Sequence, residues 1–167
     1  MSKISIRKYQ KNDLNQVLEV YDEAATIAHA FLDKDTQIWQ KNQAEKILKN
    51  HPERTWVAEQ EQKILGFAST FITNTSDTGL AGLFVLPSYQ GQGIGSRLLK
   101  QVNSIKKDIE LAVYKQNTKA FKFYVKHGFT VVKEELDRGY EFYVMKWNMP
   151  KLEKRYSRPK AKGFSNS

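Results

Sequence analysis

The stretch LFVLPSYQGQGIGSRLL (residues 83–99) joins an apolar run to a helical pattern through three closely spaced glycines. The run that ends at Pro87 predicts a β-strand, and the spacing of Ile94, Leu98 and Leu99 predicts a helix. Glycines between a strand and a helix let the backbone turn tightly, so that its N–H groups and the positive end of the helix dipole face one place. Such a loop is suited to a phosphate or pyrophosphate. A glycine-rich turn that binds nothing is the alternative.

Two nucleotide-binding motifs fail in this loop. A dinucleotide fingerprint that starts at Gly91 needs glycine at position 96, which is Ser96. A P-loop needs Gly-Lys-Ser/Thr where the chain has Gly95-Ser96-Arg97. The residues therefore predict neither of these two ways of holding a nucleotide.

The period of the apolar residues changes several times along the rest of the chain. It predicts strands over residues 4–9, 55–59, 64–72, 80–86, 109–114, 129–133 and 140–147. Helices are predicted from Asn12 or Asp13, from Asp33 or Asp35, and over residues 94–105 and 118–126. Asp13 and Gln16 are typical of a capping box, and residues 28–32 form a helix end or a loop over a site. This order predicts an α/β or α+β fold with a mixed sheet covered by helices.

Length and composition predict one folded domain. The chain has 167 residues, 40% hydrophobic and 12% aromatic, which is enough for a packed core and argues against disorder. It has no cysteine, and its three histidines have no partner at i+4, which argues against disulfides, a cysteine nucleophile and a metal site. No apolar run reaches the ~18 residues needed to cross a bilayer, and the first residues lack a signal-peptide core. We therefore expect an unprocessed, cytoplasmic protein with no metal and no membrane partner.

The net charge of +9 is concentrated at the C-terminus. Residues 151–167 hold six basic side chains against Glu153 alone, so we expect a basic, flexible tail after a domain over residues 1–150. The tail is interpreted as a solubilising or surface-docked segment. Contact with nucleic acid or the ribosome is the alternative, and it is weakened by the sparse aromatic residues, Tyr156 and Phe164.

Two blocks of the sequence resemble the GNAT superfamily of N-acetyltransferases. Gln90, Gly93 and Gly95 match the family's acyl-CoA-binding motif, Gln/Arg-x-x-Gly-x-Gly/Ala. Residues 112–129 resemble its next strand, its Asn-x-x-Ala helix start and its Phe-Tyr-x-x-x-Gly-Phe ending. The resemblance covers roughly residues 3–149, and residues 28–32 are similar to small bacterial YjaB-like acetyltransferases. It implies the family's α/β (α+β) fold, a mixed, mostly antiparallel sheet of six to seven strands flanked by helices.

The resemblance also implies transfer of an acetyl group from acetyl-CoA, a co-substrate, to an amine. The pyrophosphate of CoA is expected on the N–H groups of the glycine loop, and the pantetheine arm along the preceding strand. The N–H of Val85 would polarise the thioester carbonyl as an oxyanion-hole donor. Asn117 would contact the pantetheine or only cap the next helix. The implied acetyl-CoA-binding residues are Leu83, Phe84, Val85, Gln90, Gly91, Gln92, Gly93, Ile94, Gly95, Ser96, Asn117, Ala120 and Tyr124.

Tyr124 is also the candidate general acid. A phenol beside the leaving CoA thiolate can donate a hydrogen bond or a proton, and the family places a Tyr at this position. Simple packing of Tyr124 with Phe121 and Phe123 is the alternative.

The base that takes the proton of the acceptor ammonium is open. Many family members use a Glu on the strand before the glycine loop, where this chain has residues 79–83 without a carboxylate. His29 and Tyr140 are the candidate acceptors or relays of this proton. A water chain without a side-chain base is the alternative. His51 and His127 are expected to face solvent.

The acceptor pocket is expected around residues 29–35, 74–78 and 134–140. Carboxylates there could attract a cationic amine, although loop carboxylates are more often only solvated: Asp33, Asp35, Asp77, Glu134, Glu135 and Asp137. The acceptor, a small molecule or an amine of a peptide or protein, stays open, as does the choice between monomer and homodimer. A nucleic-acid- or ribosome-associated module that acts through the basic tail, and a catalytically silent CoA-binding protein, are the other functional hypotheses.

Overall fold

The computed structural model describes residues 2–105 and 107–151, which form one seven-stranded mixed sheet flanked by helices. The strands are β1 (Ser5–Lys8), β2 (Thr55–Gln60), β3 (Lys63–Ile72), β4 (Thr78–Val85), β5 (Ile109–Tyr114), β6 (Thr130–Asp137) and β7 (Tyr140–Trp147). The helices are α1 (Leu14–Ala28), α2 (Lys34–Asn50), α3 (Ile94–Asn103) and α4 (Thr118–Lys126), and 3₁₀ turns span Lys11–Asp13, Pro52–Arg54 and Pro87–Tyr89. The predicted fold class is confirmed, with seven strands.

The sheet opens between β4 and β5. The strand order is β1-β2-β3-β4-β5-β7-β6, and every neighbouring pair is antiparallel except β4 with β5. These two parallel strands are in register only at two positions, Thr78 with Ile109 and Gly79 with Glu110. Beyond them β4 and β5 separate, so each has an edge without a strand partner in the middle of the sheet.

A bulge in β4 accompanies this separation. Ala81 is an extra residue between Leu80 and Gly82, which pair with consecutive residues of β3. A bulge bends its strand and increases its twist. The bulge lies two residues after Gly79, the last residue of β4 that pairs with β5.

Helices cover both faces of β3 and β4, which explains the continuous apolar run of β3. On one face the rings of Phe67 and Phe84 stack with their centroids 5.5 Å apart, and Tyr21 of α1 meets Phe84 edge-on. On the other face a Cβ at Gly66 would lie 3.3 Å from Leu98 of α3, so glycine lets this helix pack closely. The core therefore lies between α1, the sheet and α3.

The predicted capping of α1 by the Asp13 side chain is not found. This side chain makes no capping bond to the helix, because Arg7 donates two hydrogen bonds to it, at 2.7 and 2.9 Å, and the Gln10 N–H donates a third. Gln16 accepts a hydrogen bond from the Ile64 N–H instead, at 3.0 Å. The predicted capping pair thus joins α1 to β1 and β3.

The other element boundaries hold to within a few residues. β4 begins two residues earlier than predicted, at Thr78, and β6 runs four residues further, to Asp137. α2 begins after Asp33, whose side chain accepts from the Thr36 N–H at 2.8 Å. The chain between Ala28 and Lys34 is therefore a loop. Apart from Lys151, the predicted basic tail lies outside the described residues.

Among residues 2–105 and 107–151, no helix is both long enough and apolar enough to cross a membrane.

Candidate active site

The opening between β4 and β5 leaves backbone groups of β4 free. The Leu86 N–H donates to the Leu65 carbonyl of β3 at 2.8 Å. Hydrogen-bonded and non-hydrogen-bonded pairs alternate in an antiparallel ladder, so the preceding pair, Val85 with Gly66, points its backbone groups away from β3. Gln90 Nε2 donates to the Val85 carbonyl at 3.0 Å. The Val85 N–H therefore faces the opening, where the predicted oxyanion donor has to be.

The glycine loop reaches the N-terminus of α3 in a conformation that favours glycine. Gly91 has φ +79° and Gly93, the N-cap of α3, has φ +82°, both in the left-handed region. A Cβ at either position would meet no atom within 4 Å, so the space beside the loop is open. The first N–H groups of α3 have no acceptor within the helix and are available to a ligand there.

A cavity of about 350 Å³, here called the loop cavity, lies over this helix start. Lys119, Lys126 and His127 of the α4 region line it together with the glycines. Positive charge and free N–H groups suit a phosphate-rich ligand. Among the implied acetyl-CoA-binding residues Gln92 does not line the cavity, and those that do are Leu83, Phe84, Val85, Gln90, Gly91, Gly93, Ile94, Gly95, Ser96, Asn117, Ala120 and Tyr124.

Asn117 caps α4. Its side chain accepts from the Ala120 N–H at 3.2 Å, which is the structural role that the sequence left open. Asn117 also lines the cavity, so a contact with a bound pantetheine stays a prediction.

The prediction that His127 faces solvent is wrong, because its ring joins the start of α3 to the end of α4. Its Nδ1 lies 2.7 Å from the Phe123 carbonyl, and its Nε2 lies 2.8 Å from the Ser96 hydroxyl. A carbonyl only accepts, so Nδ1 is the donor in this contact, and Nε2 shares a hydrogen bond with the Ser96 hydroxyl. His51 is exposed, as predicted.

A second cavity of about 340 Å³, here called the sheet cavity, lies between α2 and strands β3 to β7. Aromatic rings form part of its wall: the Tyr114 ring contacts His29 at a centroid distance of 5.3 Å and Phe142 at 4.2 Å. Gln40 of α2 donates to the Tyr114 hydroxyl at 2.6 Å. Five residues line both cavities, so ligands in the two cavities would meet beside them: Leu83, Phe84, Asn117, Ala120 and Tyr124.

Tyr124 lies at this junction of the cavities. Its side chain is only 8% exposed, and burial raises the pKa of the phenol well above its usual value of 10. The rings of Phe123 and Phe129 pack edge-on against it, so the packing role also holds. A phenol that stays protonated at the wall of both cavities can act as a hydrogen-bond or proton donor.

His29 follows α1 and is half-buried among the rings of Phe31, Phe84 and Tyr114. Burial lowers its pKa from 6.5 to about 4, so the imidazole is neutral at pH 7. In the described part of the chain its Nδ1 is buried without a hydrogen-bond partner. His29 lines the sheet cavity, but a pKa near 4 makes it a weak acceptor for an ammonium proton. Its role as base stays a prediction.

The Tyr140 hydroxyl is engaged in the loop between α1 and α2. It donates to Asp33 Oδ2 at 2.8 Å and accepts from the Asp33 N–H at 2.7 Å. Hydrogen bonds from Thr36 and Tyr140 lower the pKa of the Asp33 carboxyl to about 2. Tyr140 is not among the residues that line the two cavities. Its contacts join β7 to the loop before α2, and its role as a proton relay stays a prediction.

Of the six carboxylates predicted near the acceptor, Glu135 lines the sheet cavity. It is paired there with Lys133 at 2.8 Å. Glu134 is on the other face of β6, where it pairs with Lys115 at 2.8 Å. Within residues 2–105 and 107–151, no group of three or more Asp, Glu or His side chains could hold a metal ion.

Sequence reasoning missed Tyr114, Gln40 and Glu110, which also line the sheet cavity. The sequence could have identified Glu110 as a candidate site residue, because it is the one charged residue in the apolar strand IELAVY, residues 109–114. The alternation of a strand places it on the same face as Tyr114. Gln40 had no such signal, since the packing of α2 over the sheet brings it to the cavity.

Known proteins match both the sequence and this arrangement. Residues 51–131 match the family described as acetyltransferase (GNAT) domain. The peptidyl-lysine N-acetyltransferase YiaC of Escherichia coli is 32% identical over 130 residues, covering 76% of this chain and 84% of YiaC. The peptidyl-lysine N-acetyltransferase YjaB of Salmonella typhimurium is 25% identical over 135 residues, covering 80% of this chain and 89% of YjaB.

Among solved structures, the PaiA N-acetyltransferase of Thermoplasma acidophilum in complex with coenzyme A superimposes with a TM-score of 0.73. The two sequences are 25% identical, and the superposition covers 87% of this chain and 99% of PaiA. Together with YiaC, it confirms the resemblance first seen in residues 83–99 and 112–129. The chain belongs to the GNAT family and is an N-acetyltransferase.

Proposed function

We propose that the protein transfers the acetyl group of acetyl-CoA to a lysine side-chain amine of a peptide or protein, by direct attack in a ternary complex. The observation that carries this proposal is the junction of the loop cavity and the sheet cavity at Leu83, Phe84 and Tyr124. One cavity has the chemistry for a phosphate-rich ligand and the other has room for an amine. Both substrates can therefore be bound at the same time, as direct attack requires.

Acetyl-CoA suits the loop cavity. Its pyrophosphate would lie on the N–H groups of the loop around Gly91 and Gly93 and of the first turn of α3, with Lys119 and Lys126 adding positive charge. The pantetheine arm would run along β4 as the missing neighbour on its open edge. The CoA complex of PaiA supports this assignment.

The acetyl carbonyl would then lie beside Val85. Its N–H faces the opening and donates to the carbonyl oxygen as negative charge develops there, which is worth a few kcal/mol in oxyanion holes, typically about 3. The amine nitrogen attacks the carbonyl carbon, the carbon–sulfur bond breaks, and Tyr124 donates its proton to the leaving sulfur. The raised pKa of Tyr124 keeps that proton available.

The sheet cavity suits the acceptor. Its aromatic wall, with Tyr114 and Phe142, packs against the methylene chain of a lysine, and a cation–π contact attracts the ammonium. The carboxylates of Glu110 and Glu135 at the same cavity favour a cationic acceptor. The names of YiaC and YjaB as peptidyl-lysine N-acetyltransferases support lysine as the acceptor class.

Thermal unfolding tests the donor site first. Acetyl-CoA at about 100 times its Kd adds about 2.7 kcal/mol of stability, which raises the Tm of a protein of this size by roughly 5–10 °C. ATP and NAD serve as controls, because they share the phosphates but the loop matches neither of their motifs. No shift with acetyl-CoA, or an equal shift with all three ligands, would contradict the donor site.

Thiol release with lysine-containing peptides then tests transfer. We expect acetyl-CoA-dependent release of free CoA and a mass increase of one acetyl group on the lysine. A peptide in which arginine replaces the lysine is the control, because its guanidinium stays protonated and cannot attack. Binding of acetyl-CoA without transfer to any lysine peptide would contradict lysine as the acceptor and favour a small-molecule amine. Absence of transfer to small amines as well would favour the catalytically silent CoA-binding protein.

A further inference from the structure

The strand segment on which the resemblance implies a Glu, residues 79–83 of β4, has no carboxylate in this chain. Residue 79 of β4 is a glycine, and a Cβ at this position would lie 2.2 Å from the ring of Phe71 on β3. No side chain fits there unless Phe71 moves. The Phe71 ring thus occupies the space of a side chain at position 79, and a carboxylate that accepts the proton would come from another element.

The neighbouring strand brings a carboxylate to the same level of the sheet. Glu110 of β5 is in register with Gly79, in one of the two residue pairs that still join β4 and β5. Glu110 lines the sheet cavity together with Phe71 and Leu80. Because side chains alternate along a strand, Glu110 shares its face of β5 with Ala112 and Tyr114. It therefore lies in the row of residues that leads along the cavity to the junction.

We infer that Glu110 is the residue that takes the proton of the acceptor ammonium, through water in the sheet cavity, in the reaction proposed above. The inference rests on that proposed function. Glu110 is exposed at the cavity, so a proton that reaches its carboxylate can pass on to solvent. A cavity of about 340 Å³ is large enough for several water molecules between Glu110 and an amine at the junction.

The charges that face Glu110 leave its carboxylate available. Lys146 is directly opposite on β7, but its Nζ lies 3.6 Å from Asp108. Lys133 of β6 also lies near, and it pairs with Glu135 at 2.8 Å. Among the described residues Glu110 forms no salt bridge within 4.0 Å. Glu135, by contrast, is already bound to a lysine.

The proton balance gives Glu110 and Tyr124 separate tasks. The acceptor enters as an ammonium and ends as an amide, so its nitrogen loses two protons. One leaves before the attack, through water and Glu110 to solvent, and frees the lone pair. The second proton leaves the nitrogen as the carbon–sulfur bond breaks. It moves to the Tyr124 oxygen and replaces the proton that Tyr124 donates to the CoA sulfur. The products are the acetylated amine, CoA with a free thiol, and one proton.

Steady-state kinetics of Glu110→Gln across pH tests the inference. At pH 7 we expect kcat to fall on the order of 100-fold, with the acetyl-CoA thermal shift and the KM for acetyl-CoA unchanged. The loss should shrink as the pH approaches about 10, where the lysine amine loses its proton without help. A merely structural loss would not depend on pH in this way. Glu110→Asp keeps a carboxylate and should retain part of the activity at pH 7.

Two further variants serve as comparisons. Glu134→Gln removes a carboxylate on the other face of β6, paired with Lys115, and should leave the kinetics unchanged. Glu135→Gln removes the other carboxylate of the cavity and should cost much less than Glu110→Gln. Three results would overturn the inference. Glu135→Gln could lose as much activity as Glu110→Gln, or the loss in Glu110→Gln could be the same at every pH. The third result is a kcat of Glu110→Gln within about threefold of wild type at pH 7. Wild-type protein that transfers to no lysine peptide overturns the proposed function and this inference with it.

Discussion

In the proposed mechanism, protonation of the leaving CoA sulfur depends on the phenol of Tyr124. Tyr124→Phe keeps the buried ring and its packing against Phe123 and Phe129 but removes the proton. We expect kcat to fall on the order of 100-fold, because general acid catalysis typically contributes that much or more. Affinity for acetyl-CoA, measured by the thermal shift, should stay the same. Tyr143→Phe is the matched control, since Tyr143 packs on Phe121 away from both cavities.

A kcat for Tyr124→Phe within about threefold of wild type would leave packing as the role of this residue. Its cavity position could be predicted from sequence because the motif around it is local: the helix that carries Tyr124 begins at Asn117, seven residues earlier. Tyr114 and Glu110 could not be predicted in the same way. They reach the sheet cavity through strand pairing with residues far away in the chain, which one sequence does not specify.

At the scale of an element, the start of α3 depends on a left-handed residue. Gly93→Ala places a side chain at φ +82° and should destabilise the protein by about 1–2 kcal/mol, although a Cβ there meets no atom. Gly95→Ala is the matched control, because its Cβ would lie 3.4 Å from Phe123, an ordinary contact, and alanine favours the helix. Urea unfolding measures both. Equal stability of Gly93→Ala and wild type would show that the loop can adopt a negative φ.

Most helices and strands could be predicted from the sequence, because the spacing of their apolar residues and their turn residues are local features. The bulge at Ala81 and the separation of β4 from β5 could not, because both depend on how two strands pair. Asp13 illustrates the same limit. Its spacing to Gln16 fits a capping box, yet Arg7 of β1 takes the carboxylate once the sheet has formed.

For the whole molecule, the opening of the sheet determines where the proposed sites of the two substrates lie. β1 to β4 form one part and β5 to β7 the other, and only two residue pairs join them. A strand edge in the centre of a sheet leaves backbone groups unpaired, which is costly unless a ligand or water takes them up. The pantetheine arm of acetyl-CoA would complete β4 there. Binding of acetyl-CoA would then also pair the backbone groups of β4 that the opening leaves free.

The stability of the whole molecule should fall on mild acidification because the imidazole of His29 is half-buried among aromatic rings. Its pKa is 6.5 when unfolded and about 4 when folded, so between these values the unfolded chain binds a proton that the folded protein excludes. We expect a loss of about 2 kcal/mol between pH 7 and pH 5. Asp13 and Asp33, whose pKa values are lowered, lose their contributions only as the pH falls below about 4. Urea unfolding at both pH values should show this loss in wild type and in His51→Gln, an exposed control, and not in His29→Gln. The same loss in His29→Gln would assign it to another group.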